Sequence, residues 1–263
     1  MARTEQQSTE RYGGRWFWRY ASPAAFFPLA GRIERLCWAV AAVLGVLGLY
    51  LGLFRAPVDA QQGEVYRVIF IHVPAAWMAM IIYLAMAFWS LLGLWLGTRL
   101  SFMMSRALAP TGALMTLIAL WTGAFWGRPT WGTYWVWDAK LTSFLILFFL
   151  YVGYIALAEA FDDVRKGDRA SALIALVGAI NVPIIYFAAV WWNSLHQGPS
   201  VVKQGGPSIA PIMLWAMLTM TFAFWAWCIA AAMHRVRSVI IERERNAVWM
   251  KPVVRGQAER ERT

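Results

Sequence analysis

The chain has 263 residues, 60% of them hydrophobic and 14% charged, with a net charge of +10. Soluble domains carry about 25% charged residues, whereas here residues 68–98, 107–127 and 204–233 hold no Asp, Glu, Lys or Arg. A soluble globular enzyme is excluded, and so is a nucleic-acid binder, because the basic excess is divided among loops between apolar runs rather than gathered on one face.

A helix needs roughly 20 apolar residues to cross about 30 Å of hydrocarbon. Runs of that kind fall at 36–54, 68–97, 107–126, 141–158, 170–192 and 209–233. The pattern predicts an all-α integral membrane protein with six transmembrane helices. Of the 24 Lys and Arg, only Arg55, Arg67, Arg128, Lys140 and Lys203 fall in the three loops of one side, and the other nineteen lie on the other. Because basic residues stay on the cytoplasmic side, both termini are expected there. The expected organisation is a cytoplasmic segment 1–35, a six-span membrane domain 36–233 and a charged cytoplasmic tail 234–263.

Residues 15–27 mix Arg15 and Arg19 with Trp16, Phe17, Trp18, Phe26 and Phe27, a composition suited to the inner membrane surface. The first apolar run, from Leu36, is too long for a cleaved signal peptide and reads as a retained anchor. Cys37 and Cys228 stand alone in apolar stretches, outside any C-x-x-C or C-x-x-C-H pattern. A dithiol redox motif and a covalently attached c-type haem are therefore not expected. Near the outer end of the second span stands His72, about 6 Å below its edge at 1.5 Å per residue. An ionisable residue inside a span is a functional candidate by default. Pro74 follows it, and a kink there would turn His72 toward an outer cavity.

Five of the 17 Trp fall between Trp121 and Trp137, around a loop of about 127–140 on the outer side. An interfacial aromatic belt accounts for one or two Trp per span end, not for this density. Trp126, Trp131, Tyr134, Trp135 and Trp137 offer flat apolar faces, with Gly132 and Asp138 among them. Arg128 and Lys140 bracket the loop, placed to meet carboxylates of a ligand. If the stretch from Trp131 is helical, Trp131 and Trp135 share a face with Asp138 nearby. The composition suits a planar, partly anionic ligand, haem better than a quinone headgroup.

The fifth span contains Pro183 and leads to His196 at the outer surface, followed by a loop, 197–208, rich in Gly and Pro. The charge-derived orientation thus places His72, His196 and the tryptophan loop on one face, where two imidazoles suit a six-coordinate haem iron. His234, at the inner end of the sixth span, reads as a snorkelling end residue. Beyond it, Glu242-Arg243-Glu244-Arg245 alternates charge, as a solvated helix does or as a surface for a cytoplasmic partner does.

At these residues the chain resembles the haem-handling membrane proteins marked by a WWD motif, in particular the cytochrome c maturation CcmC family. Trp131-Gly132-Thr133-Tyr134-Trp135-Val136-Trp137-Asp138 matches the W-G-x-x-W-x-W-D core, with Tyr134 where a Trp often stands. The segments around His72 (H-V-P-A-A-W) and His196 (W-W-N-S-L-H-Q-G) match the flanking histidine segments. The resemblance covers roughly residues 36–235. It implies a protein of the bacterial inner membrane that turns over no substrate and holds non-covalent, b-type haem on the periplasmic side. His72 and His196 would be the axial ligands and Trp131–Asp138 the platform. The resemblance also implies transfer of haem to the chaperone CcmE, within an ABC-transporter-type complex containing CcmA, CcmB and CcmD. Two other readings stand beside it: a b-type cytochrome passing electrons to quinone, which needs about four span-buried His, and a permease with an aromatic gating loop.

Overall fold

The computed structural model describes residues 21–192, 196 and 209–253. Within them the chain is all-helical, with one isolated bridge between Asp59 and Gly63 and no strand. Six helical stretches are long and apolar enough to cross a membrane: Pro23–Arg55, Glu64–Leu96, Arg99–Trp131, Ala139–Glu159, Val164–Trp191 and Pro211–Glu244.

Helix α1 (Pro23–Tyr50) starts where the Ser22 hydroxyl accepts the Ala25 N–H at 3.3 Å and Pro23 takes the first position, where its missing N–H costs nothing. A π turn, Leu51–Arg55, extends it. Helix α1 thus begins well upstream of Leu36. Hydropathy falls at Arg32, Glu34 and Arg35, but the helical ladder runs on because Glu34 is met by other charges. Residues 15–20 lie outside the described part; Phe27, within it, is buried in the bundle against Trp249, with the Arg237 guanidinium 4.9 Å over its ring.

A 3-10 turn, Glu64–Val68, leads into α2 (Ile69–Leu96), and α3 (Arg99–Trp131) follows. Pro74 sits inside α2, which runs through it as one continuous helix. Only the bond to the Phe70 carbonyl, one turn from the start, is forfeited. The fifth span does break: α5 (Val164–Gly178) ends, two residues turn, and α6 (Asn181–Trp191) starts with Pro183 in its first turn. The Asn181 side chain donates to the Ser143 carbonyl of α4 (Ala139–Glu159) at 2.9 Å, fixing the break against its neighbour. Helix α7 (Pro211–Glu244) closes the bundle antiparallel to α1.

Lipid cannot hydrogen-bond, so hydroxyls buried between helices must find partners in the protein. Three tyrosines do so: Tyr83 donates to the Ile174 carbonyl, Tyr151 to the Ala79 carbonyl, and Tyr154 meets Ser105, which donates to the Met86 carbonyl. Large apolar side chains such as Leu84, Phe88, Leu117, Phe149 and Phe222 face outward, as a lipid-facing girth requires.

Charge gathers at the end where α1 begins and α7 finishes. Glu34 binds His234 Nδ1 at 2.8 Å and Arg237 at 2.5 Å. Asp168 takes both guanidinium nitrogens of Arg243 at 2.7 and 2.8 Å, and Arg99 meets Glu244 at 2.8 Å. The alternating Arg and Glu after Met233 are therefore partly spent within the chain, on a helix running to Glu244; residues 254–263 lie outside the described part.

Candidate functional site

At the opposite end, the start of α2, the end of α3 and the start of α4 converge. His72 projects from the first turn of α2 and is 8% exposed. Its Nδ1 lies 3.0 Å from Thr122 Oγ1 on α3. That hydroxyl donates its single proton to the Ile118 carbonyl at 2.6 Å, so it accepts from His72. The imidazole is thereby held as the Nδ1–H tautomer, in which Nε2 is the nitrogen that carries the lone pair.

Space for the ring comes from Gly123, where a Cβ would stand 2.9 Å from His72 Cε1. Trp126, one turn on, meets the His72 ring edge-on at 5.6 Å and the Tyr66 ring at 5.8 Å. Its indole N–H donates to Gln62 Oε1 at 2.6 Å, which ties the loop between α1 and α2 to α3. His196 stands with its ring centroid 6.2 Å from that of His72, tilted by 32°, and 6.1 Å from the ring of Trp131. The structure therefore brings together His72, His196, Trp126 and Trp131. A cavity of about 350 Å³ lined by Gln61, Gln62, Pro129, Thr130 and Trp131 adjoins them.

The tryptophan loop is shorter than its sequence suggests. Helix α3 runs through Pro129 to Trp131 and stops because Gly132 takes φ +79°, a left-handed conformation that lets its N–H return to the Arg128 carbonyl at 3.1 Å. Residues 132–138 are then non-helical. The conditional helix from Trp131 does not form, and Trp131 and Trp135 do not share a helical face. Trp135 and Trp137 instead meet edge-to-face at 5.5 Å, with Trp137 78% exposed. The Trp135 indole N–H is buried and has no partner among the described residues, which leaves a donor for a ligand oxygen.

The polar members of the loop also serve its shape. Asp138 caps α4, accepting the Leu141 N–H at 2.7 Å, and Lys140 sits half-buried in that first turn. Arg128 donates to the Gly132 carbonyl and lies 5.7 Å over the ring of Tyr134, rather than standing free for a ligand carboxylate. The remainder of the loop after His196, 197–208, lies outside the described residues, as do Asn193–Leu195 before it.

What can this arrangement hold? Two imidazole nitrogens at about 2 Å from one metal ion put ring centroids roughly 6 Å apart, the spacing found here. No cluster of three or more His, Cys, Asp or Glu suited to a metal occurs among the described residues. Two imidazoles therefore complete a coordination sphere only if the ligand brings its own in-plane donors, as a porphyrin does. Thr122, Gly123 and Gln62 are the members that reasoning from sequence missed; the small pair Thr122-Gly123 between Trp121 and Trp126 was the available signal. Gly123→Ala is expected to push His72 off its position and weaken porphyrin binding by ~10-fold or more, since overpacking costs about 1–3 kcal/mol. A haem titration followed by absorption checks this, and unchanged affinity would contradict it.

Residues 16–251 match the family described as CcmC, Heme exporter protein C. The chain is 43% identical over 230 residues to the Heme exporter protein C of Bradyrhizobium diazoefficiens, covering 88% of this chain and 87% of the relative. It is 42% identical over 230 residues to that of Escherichia coli strain K12, covering 85% and 93%. It is 38% identical over 237 residues to that of Haemophilus influenzae, covering 90% and 96%.

Proposed function

This chain belongs to the CcmC family, heme exporter protein C, and on that premise we propose that it holds haem at the periplasmic face of the bacterial inner membrane and hands it to the chaperone CcmE. It is a haem-handling membrane component of cytochrome c maturation. The finer reading places it in an ABC-transporter-type complex with CcmA, CcmB and CcmD, presenting non-covalent b-type haem without turning over a substrate. The observation that carries this reading is the His72–His196 pair, 6.2 Å apart beside Trp126 and Trp131. The outer placement is supported by the nineteen-to-five division of Lys and Arg.

In this mechanism the haem is cargo, and its iron supplies two axial positions. His72 is the anchored ligand: Thr122 fixes its tautomer, Gly123 gives it room and Trp126 walls it. His196, beyond the end of α6 and outside any helix, is the ligand that yields when the chaperone takes the haem. Trp135 and Trp137 present the apolar face on which the chaperone meets the porphyrin. Asp138 holds this platform to α4.

The test is transfer. Haem-loaded protein, mixed with haem-free CcmE, is expected to lose its Soret absorbance as the chaperone gains it. Asp138→Ala is expected to slow that transfer more than it lowers haem retention, because a carboxylate that caps α4 is no iron ligand; the capping loss itself is about 1 kcal/mol. Equal loss of transfer and retention would contradict that division. A chaperone that gains no haem from the wild-type protein would refute the function.

A further inference from the structure

At the charged end of the bundle, α1, α3, α4 and α7 line a half-open groove of about 670 Å³. Its lining changes character along the helices. On α3 it passes from Leu114 through Thr111 to Arg106, and on α7 from Trp227 through Arg235 to Glu242. Trp38 of α1 adds to the apolar part, its ring edge-to-face with that of Trp227 at 6.0 Å. From Trp227 to Glu242, α7 rises roughly 22 Å at 1.5 Å per residue. That is half of the about 40–45 Å of a bilayer with its headgroups, so the groove has the length of one leaflet. A partner helix crossing the membrane needs a face that runs through both.

Two observations point to a ligand. The first is unspent charge of both signs. Arg106 reaches Glu159 at 3.3 Å, whereas Arg235 and Glu242 make no ion pair among the described residues. They lie two turns apart on one side of α7, the cation next to the apolar wall and the carboxylate beyond it. A zwitterionic headgroup has the complementary order, phosphate inside and ammonium outside. The second is Thr111, 2% exposed, whose hydroxyl has no partner among the described residues. Other buried threonines of α3 bond back to a carbonyl four residues earlier, Thr116 to Gly112 at 2.7 Å and Thr122 to Ile118 at 2.6 Å. Thr111 lacks that bond and leaves a buried donor in the groove. It stands roughly 8 Å deeper than Arg106 along α3, at the level of the ester carbonyls of a glycerolipid.

We propose that this groove holds one phosphatidylethanolamine molecule of the leaflet at the charged end. Arg235 takes the phosphate, Glu242 accepts from the ammonium, Thr111 donates to an ester carbonyl, and Trp38 and Trp227 flank the upper acyl chain. Basic pockets between membrane helices take anionic headgroups. Here Glu159 and Glu242 stand among the cations, and like charge opposes an anionic headgroup reaching past the phosphate. A choline headgroup carries the right charge but has no N–H to give a carboxylate, whereas a primary ammonium has three. From Thr122, which holds His72, to Arg106 in this lining, α3 rises roughly 24 Å at 1.5 Å per residue. The lipid site is therefore separate from the His72–His196 pair and stands whatever that pair binds.

Native mass spectrometry of the full chain in detergent, with each lipid titrated in turn, tests this. One phosphatidylethanolamine is expected to bind about 5-fold more tightly than phosphatidylcholine or phosphatidylglycerol of the same chains, the ceiling for an exposed ion pair. Glu242→Gln should erase that preference, whereas Arg235→Gln should weaken all three lipids by a similar factor. Diester phosphatidylethanolamine should outbind its diether analogue by about 2–12-fold, the worth of one hydrogen bond. Thr111→Val should remove that difference and leave the headgroup preference intact. Glycerophosphoethanolamine, the same headgroup without chains, should not compete. Equal binding of the three headgroups by the wild type, or a preference that survives Glu242→Gln, overturns the assignment. Equal affinity for diester and diether overturns the role of Thr111. Displacement of the lipid by an equal concentration of the chainless headgroup reduces the groove to a phosphate site and overturns the proposal.

Discussion

His72→Ala and His196→Ala are each expected to abolish the six-coordinate haem spectrum of the proposed His72–His196 site and to weaken its haem by more than ~100-fold, beyond the about 10–100-fold typical of residues that only orient a metal ligand. The two variants should differ in what they leave. Without His72 the buried pocket beside Thr122 and Trp126 loses its iron anchor, and the haem has only His196, outside any helix, to hold it. Without His196 the haem stays on His72 as a five-coordinate species that dissociates faster. Thr122→Val keeps the volume but removes the acceptor for the Nδ1–H, so it should fall in the about 10–100-fold range of an orienting partner. Full Soret intensity in both His→Ala variants would rule out the ligand pair. An effect of Thr122→Val as large as that of His72→Ala would mean the hydroxyl does more than fix a tautomer.

The parts of this site that could be read from sequence were those marked by unusual residue types. A histidine inside an apolar run is costly enough to mean something, and five tryptophans within a short stretch exceed what an interface needs. The distribution of Lys and Arg then put both histidines on one face before any contact was known. What hydropathy could not mark was the end of a helix, since apolarity reports where lipid stops and not where hydrogen bonding stops. So α3 outlasts Trp126 and continues through Arg128 and Pro129 until Gly132 turns left-handed. Likewise α1 begins at Pro23, through charges that Glu34 and its partners neutralise. Thr122 and Gly123 were hidden for a different reason. A threonine and a glycine in a span are ordinary residues, and only the packing of α2 on α3 shows which of them faces His72. Asp138 carries the reverse lesson: conspicuous in its motif, it is engaged in capping a helix.

Asp168→Ala is expected to destabilise the protein by ~3–5 kcal/mol, because it strands the Arg243 guanidinium in a buried position without its partner. The pair is bidentate, 2.7 and 2.8 Å, with side chains 9% and 12% exposed. It bolts the first turn of α5 to the last turn of α7, joining the span that leads to His196 to the span that closes the bundle. The charge left behind causes most of the loss, so removing it should return most of the stability: Asp168→Ala/Arg243→Met is expected to be far less damaging than Asp168→Ala alone. Thermal unfolding in detergent, followed by tryptophan fluorescence, reads both. Haem affinity at the His72–His196 site should change less than about twofold in the folded fraction, since sites this far apart without shared partners act additively. A double variant as unstable as the single one would show that the bidentate geometry itself, and not the orphaned charge, holds α5 to α7. A fall in haem affinity at the His72–His196 site would show instead that the break between α5 and α6, braced by Asn181 on Ser143, does not isolate His196 from the start of α5.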